Sequence, residues 1–420
     1  MPRRLALCLA GLWLRLASTA WDDATNATCL GGCACRPRLV VAVPTAPSKD
    51  LAVLGRCLAS VVEHVLEAEA VVVISRKSPD IDRAIATVNR DARPGRPVVT
   101  WFDEDSGHFP FDYSSVRSEL EKRSSAKHAG AYEYAVGWYL QQLIKLYAGR
   151  AMHKARDGIS KAWTEEDGLA EPPFDTMVLD SDVVFLRNVA YVRSAKLQNG
   201  RCEATYNYAF SRESHQQYYD TNSKLLNGDK PLPDSRGRDI SGVVHHMVVR
   251  SDVVAEIERR VSAAHFGRPL WSALLGPEGI ISNPQSNTFS EYQLYFHFAR
   301  RHFPSSVHVR QLYWANGPGP SAVVLCAAAD AWPADRQMQA SARLDAIAVD
   351  TAAGYDYVAY HSYAKRRPCV YGPGGGGDDV GACFGGGCTH PCYKRRDETK
   401  FKTRDREATA PRLCRAALEQ

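Results

Sequence analysis

Short apolar runs of strand length, separated by stretches with helical spacing, set the pattern of this chain. Leu39 to Val43 (LVVAV), Ala70 to Ile74 (AVVVI) and Pro97 to Phe102 (PVVTWF) read as strands. Between the first two, Pro44 to Lys49 is a turn, and Asp50 is an N-cap before LAVLGRCLASVVEHV. Strand, helix, strand at this spacing predicts βαβ units and a mainly parallel sheet, hence an α/β fold.

The pattern continues downstream. Gly137 to Tyr147 (GWYLQQLIKLY) is helical, with Val136, Leu140, Leu143, Ile144 and Tyr147 on one face and Gln141 and Lys145 one turn apart on another. Residues 150 to 172 form a loop-rich insertion. The apolar run Thr176 to Leu186 (TMVLDSDVVFL) carries Asp180 and Asp182. Ser241 to Arg250 (SGVVHHMVVR) reads as a strand in which His245 and His246 alternate, so only one of them faces a cleft. Phe289 to Phe298 is a helix capped by Ser290, and Tyr355 to Tyr360 is a late strand ending at His361. From Pro373 onward, glycine- and cysteine-rich sequence marks an appendage rather than core.

The 420 residues, 45% apolar, suffice for a sizeable core. A net charge of +5, with no basic stripe interleaved with aromatics, argues against a nucleic-acid polymer as partner. The N-terminus changes the picture more. MPRR, then the apolar Leu5 to Leu14, then Ala17 to Ala20, has signal-peptide grammar, with a retained signal-anchor as the competing reading. Asn26-Ala27-Thr28 is a glycosylation sequon. Cysteines cluster at Cys29, Cys33 and Cys35, and again at Cys369, Cys383, Cys388 and Cys392. In a secreted chain these read as disulfides; zinc, with His390 as fourth ligand, is the competing reading. The expected address is the secretory pathway: ER or Golgi lumen, or outside the cell.

Two aspartates at the end of a buried strand are costly unless something pairs with them. In an open parallel sheet, ligands bind beyond the carboxyl ends of the strands. Two hard oxygen ligands there suit Mg²⁺ or Mn²⁺, which in turn hold a diphosphate. The alternatives are a turn-capping aspartate with Asp182 paired to Arg187, and the nucleophile motif of a haloacid-dehalogenase-type phosphatase.

The order GWYLQQLIKL, VLDSDVVFL, a histidine-bearing strand, SEYQLYFHF and VAYHSY resembles a GT-A glycosyltransferase, most of all the uncharacterised DUF6492 family, over roughly residues 38–365. The resemblance implies a GT-A-like, Rossmann-like sheet flanked by helices, with cysteine-rich terminal extensions outside it. It divides the chain into a signal segment (1–20), a Cys-rich segment (21–37), the transferase domain (38–365) and a basic Gly/Cys-rich tail (366–420). It implies a nucleotide-sugar donor and a glycan, protein or lipid acceptor, with a membrane involved only if the N-terminal segment is kept as an anchor. Asp180, Asp182 and His361 are the implied metal ligands for Mn²⁺ or Mg²⁺. Gln141, Lys145, Asp180 and Ser181 are candidate donor contacts. Glu291 is a candidate general base, although a place in the first turn behind the Ser290 cap explains it equally well. Trp314 and Asn316 are candidates for an acceptor-side loop, and Trp138 for core packing. A non-catalytic carbohydrate-binding protein and a lumenal phosphatase stay open beside the transferase.

Overall fold

The first strand, β1 (Leu39–Pro44), is buried at all six positions. Such a strand needs a neighbour on each edge and cover on both faces. Its neighbours are β2 (Ala68–Ser75) and β4 (Asp175–Leu179), both parallel to it. The computed structural model describes residues 35, 37–46, 51–122, 129–155, 174–198, 201–212, 215–276, 280–281, 287–316 and 355–359.

The main sheet has the order β3-β2-β1-β4-β8. The edges are β3 (Val98–Asp103), parallel to β2, and β8 (His246–Val249), antiparallel to β4. Helices α1 (Leu51–His64), α2 (Pro79–Asp91), α3 (Tyr113–Glu121) and α4 (Ala129–Lys154) lie between the strands in chain order. This is the mainly parallel α/β sheet expected from the sequence. The short polar helices α2 and α3 were not expected. Their caps were legible: Ser78 accepts from the Asp80 amide, and Asp112 and Ser115 form a capping box.

Three expectations change. First, α4 extends well beyond Gly137–Tyr147, into the expected insertion. Between Tyr139 and Arg150 it is buried nearly all round, and Gln142 and Lys145 are buried with the apolar residues. It lies so close to β4 that a Cβ at Gly149 would fall 2.8 Å from Thr176 Oγ1. Second, the run Thr176 to Leu186 is two strands. β4 ends at Leu179, and β5 (Val183–Phe185) enters a second sheet, β10-β11-β5, built with β10 (Trp314–Asn316) and β11 (Tyr357–Ala359). Third, only His246–Val249 of the SGVVHHMVVR run forms a strand. Before it the chain is irregular, and His245 takes a left-handed φ of 65°.

A third sheet contains β6 (Val192–Gln198), β7 (Arg201–Ala209) and β9 (Val307–Arg310). The remaining described helices are α5 (Gln216–Leu225), α6 (Ser251–Ala264), α7 (Leu270–Leu275) and α8 (Glu291–His302). Ser290 caps α8 as expected, accepting from the Gln293 amide. One hydrophobic cluster runs through the main sheet, α1, α4 and α8, so these elements hold fixed positions around the ends of β1 and β4.

Cys35, just before β1, forms a disulfide with Cys202 in β7. The sequence marked Cys35 as a disulfide candidate, and the pairing brings in Cys202, which lies far from either cysteine cluster. The signal segment, Asn26, Asp50, the other clustered cysteines, His390 and His361 lie outside the described residues. Among the described residues, no helix is long and apolar enough to cross a membrane.

Candidate functional site

The sheet order makes β1 and β4 the pair at which the topology reverses: β2 and β3 lie to one side of β1, and β4 to the other. A crevice opens beyond the carboxyl ends of such a pair. Asp180 immediately follows β4, and the backbone turns through Ser181 and Asp182, with the Val183 amide donating to the Asp180 carbonyl at 3.1 Å. The two aspartates therefore sit on a turn between two sheets rather than alternating along one strand. At the end of β1, Thr45 is 4% exposed, and its hydroxyl has no hydrogen-bond partner among the described residues. Sequence reasoning passed over Thr45, although its place directly after the first strand was a signal.

Asp180 is the centre of a buried polar cluster. The Lys145 ammonium pairs with its Oδ1. The Tyr292 hydroxyl donates to the same oxygen at 3.3 Å, and His245 Nδ1 lies 2.9 Å from Oδ2. Lys145 reaches a second carboxylate, Glu291 Oε1, at 2.8 Å, and its ammonium lies 4.5 Å from the centre of the Tyr292 ring. Side-chain exposures of 3% for Lys145 and 1% for Glu291 take both out of bulk water, and Asp180 retains 18%. Lys145 is thus not on a solvated helix face. A lysine on a helix buried all round requires acidic partners, and the SEY and DSD motifs supply them.

The electrostatics follow from one ammonium serving two carboxylates. Burial would push the Lys145 ammonium down, but Asp180 and Glu291 outweigh it and hold it above the usual lysine range. Burial would likewise raise Asp180, but Lys145 and His245 hold it well below the usual carboxylate range. Glu291 is left with the weaker share: burial pushes it up to about 7 against the pull of Lys145.

His245 is fixed from several sides. Its carbonyl accepts from the Asp180 amide at 2.9 Å. Trp314 meets its ring edge-on at 5.3 Å and stacks on Tyr357 at 5.5 Å. Tyr357 in turn donates to the Val244 carbonyl at 2.9 Å. The loop before His245 is pinned by Gln293, whose Oε1 accepts from Ser241 Oγ at 2.8 Å and from the Gly242 amide at 2.9 Å. His246 points the other way, with its Nδ1 3.0 Å from the Tyr191 hydroxyl. Burial holds His246 down at about 3, so it stays neutral. The two histidines diverge because His245 precedes the strand in a left-handed conformation, not because they alternate along it.

The other predicted residues fall as follows. Gln141 is half-buried on α4, one turn before Lys145, and Ser181 is 2% exposed. Asp182 is half-buried. Trp314 is half-buried beside His245, whereas Trp138 donates to the Phe289 carbonyl at the edge of the core. His361 lies outside the described residues, but the strand leading to it does not: Ala359, the last described residue of β11, is paired with Val183, next to Asp182.

A divalent cation needs carboxylate oxygens that are not already engaged. Both oxygens of Asp180 are engaged, by Lys145, Tyr292 and His245. No group of three His, Cys, Asp or Glu side chains among the described residues is placed to hold a metal ion.

Comparison with known proteins gives distant likenesses. No curated protein matches the chain. Mouse xyloside xylosyltransferase 1 is similar in structure at 17% identity and a TM-score of 0.32, over 66% of this chain and 86% of that one. The mannosyltransferase Ktr4p from S. cerevisiae, in complex with GDP, is similar at 12% identity and a TM-score of 0.37, over 68% of this chain and 74% of that one. The galactosyltransferase LgtC, in complex with donor and acceptor sugar analogues, is similar at 12% identity and a TM-score of 0.31, over 79% of this chain and 92% of that one. At such scores the chemistry has to come from the chain's own residues. The model of a family of unknown function, DUF6492, matches residues 172–350, the stretch that begins just before β4 and carries the DSD and SEY motifs.

Proposed function

We propose that this chain is a glycosyltransferase that moves a sugar from a nucleotide-sugar donor to a glycan, protein or lipid acceptor in the secretory pathway. The observation that carries the reading is the position of the DSD turn. It lies at the switch point of the main sheet, against a buried lysine on one side and a half-buried tryptophan beside His245 on the other. An acidic turn at this place suits a cation and, through it, an anionic diphosphate. The flat face of Trp314 suits a sugar ring or base laid against it. The GWYLQQ, LDSD and SEY order adds the GT-A resemblance, and its LDSD and SEY parts lie within the stretch that the DUF6492 model matches.

In this reading α4 does two jobs. Lys145 stays buried and sets the charge under the turn, while Gln141, one helical turn away and half-buried, contacts the donor with Ser181. Bound Mn²⁺ or Mg²⁺ would supply positive charge for the departing diphosphate. Asp182 would hold it, with His361 as second ligand: β11 brings the chain beside Val183 two residues before that histidine. Glu291, sealed in the core against Lys145, is better placed to hold that ammonium than to meet an acceptor hydroxyl. The Cys35–Cys202 disulfide supports an oxidising compartment.

The test is release of nucleoside diphosphate from a panel of nucleotide sugars with Mn²⁺. A transferase hydrolyses at least one donor slowly without acceptor. Release of inorganic phosphate from simple phosphoesters would point to the phosphatase, and no turnover of either class to a binding protein.

A further inference from the structure

We infer that Asp180 is not a ligand for a divalent cation but one of two anchors for a built-in cation, the Lys145 ammonium, with Glu291 as the other anchor. The inference concerns the site of the proposed transferase but does not need the transferase reading to hold.

Three observations carry it. Both oxygens of the Asp180 carboxylate are committed inside the protein: Lys145 and Tyr292 share Oδ1, and His245 Nδ1 lies 2.9 Å from Oδ2. The lysine has nowhere else to go. It is 3% exposed, its helix is packed into the core through Leu143, Ile144, Leu146 and Tyr147, and its second partner, Glu291 at 2.8 Å, is 1% exposed. A metal ion taking Asp180 would leave a buried ammonium with half its counter-charge, and removing one partner of a buried pair is strongly unfavourable. Finally, the geometry extends from Asp180 to His245 and through it to Trp314, so the aspartate has a positioning task that needs no metal. Asp180 and Asp182 are then not equivalent. The first holds Lys145 and His245 in place.

A lysine that stands in for a metal makes a gain-of-function prediction. Lys145→Met removes the internal cation and frees Asp180 beside Asp182. Mn²⁺ binding, measured by titration calorimetry and by the loss of the free-ion electron paramagnetic resonance signal, should then tighten at least tenfold over the wild-type chain. Mn²⁺ should also raise the thermal midpoint of Lys145→Met by more than that of wild type. Asp180→Asn, by contrast, should bind Mn²⁺ within about threefold of wild type while losing stability in EDTA. The inference is overturned if Asp180→Asn loses Mn²⁺ binding while keeping its stability in EDTA, or if Lys145→Met binds Mn²⁺ no better than wild type. A wild-type chain that binds no Mn²⁺ counts against the metal in the proposed function, and the Lys145→Met titration still decides this point. If Lys145→Met folds neither with nor without Mn²⁺, the neutral variant Lys145→Met, Asp180→Asn, Glu291→Gln decides. Its folding supports the internal ion pair, and its failure to fold contradicts it.

Discussion

Gly242→Ala probes the loop that presents His245. A Cβ at position 242 would sit 2.4 Å from Phe296 Cβ and 2.5 Å from the Tyr292 carbonyl oxygen. Both atoms belong to α8, whose residues Glu291 to Ala299 are all buried, so the helix cannot retreat. The loop must move outward by about 1 Å, an overpacking strain typically costing about 1–3 kcal/mol. The same shift stretches the two bonds from Ser241 and Gly242 to Gln293, each contributing about 1 kcal/mol. The sum is a loss of about 3–5 kcal/mol, and in a domain of this size about 2–4 °C of midpoint per kcal/mol. Denaturant unfolding reads it. The control is Gly55→Ala in α1, where a Cβ meets nothing within 4 Å and the substitution should gain up to about 1 kcal/mol from helix propensity. Because His245 lies three residues on, Gly242→Ala should also weaken nucleotide-sugar binding in the fraction that stays folded. A Gly242→Ala chain as stable as wild type would refute the packing argument.

Phe266 ends α6 at φ 55° and is 96% exposed, in a turn closed by the Gly267 amide on the Ser262 carbonyl, where glycine is the favoured residue; Phe266→Gly should raise stability by about 1 kcal/mol by thermal or denaturant unfolding. The Cys35–Cys202 bond closes a loop of 167 residues, so Cys202→Ser should cost about 2–5 kcal/mol, and dithiothreitol should reproduce the loss in wild type but not in the variant. Burial pushes Glu104 up to about 7 against the pull of Arg76, so between the unfolded value of 4.5 and that value the native chain holds a proton the unfolded chain has released. Stability from this group is present below the lower value and lost as pH rises through the upper one, a fall of about 3 kcal/mol that Glu104→Gln should abolish in pH-dependent unfolding.

Much of this was written in the chain, and the omissions have physical causes. β1 and β2 were legible because strands buried on both faces are continuous apolar runs, β3 because its apolar run persists at the sheet edge, and α8 because Ser290 announces it. Lys145 was misplaced because helical periodicity assumes one wet face. From Tyr139 to Arg150 α4 has almost none, and Lys145 is satisfied by Asp180 and Glu291 on other elements. The DSD motif was found but not its shape. Apolar residues on both sides suggested one strand, whereas the chain leaves one sheet there and enters another. VVHHMVV suggested an unbroken strand for the same reason, and only the left-handed φ at His245, set by Gln293 and Gly242, turns that histidine onto Asp180. Contacts that join Lys145, Asp180, His245 and Glu291 link residues 35 or more positions apart, and no local pattern encodes them.

The central claim is that the turn at Asp180 to Asp182 receives a nucleotide sugar. Titration calorimetry of the full chain against a panel of nucleotide sugars, with Mn²⁺ present, tests it most directly. The account predicts that one donor binds with a dissociation constant in the range of about 1 μM to 1 mM. At a hundredfold excess over that constant, the donor should stabilise the chain by about 2.7 kcal/mol. Asp182→Asn should lose the binding while staying folded. A panel in which no nucleotide sugar binds, or one that Asp182→Asn binds as tightly as wild type, would contradict it.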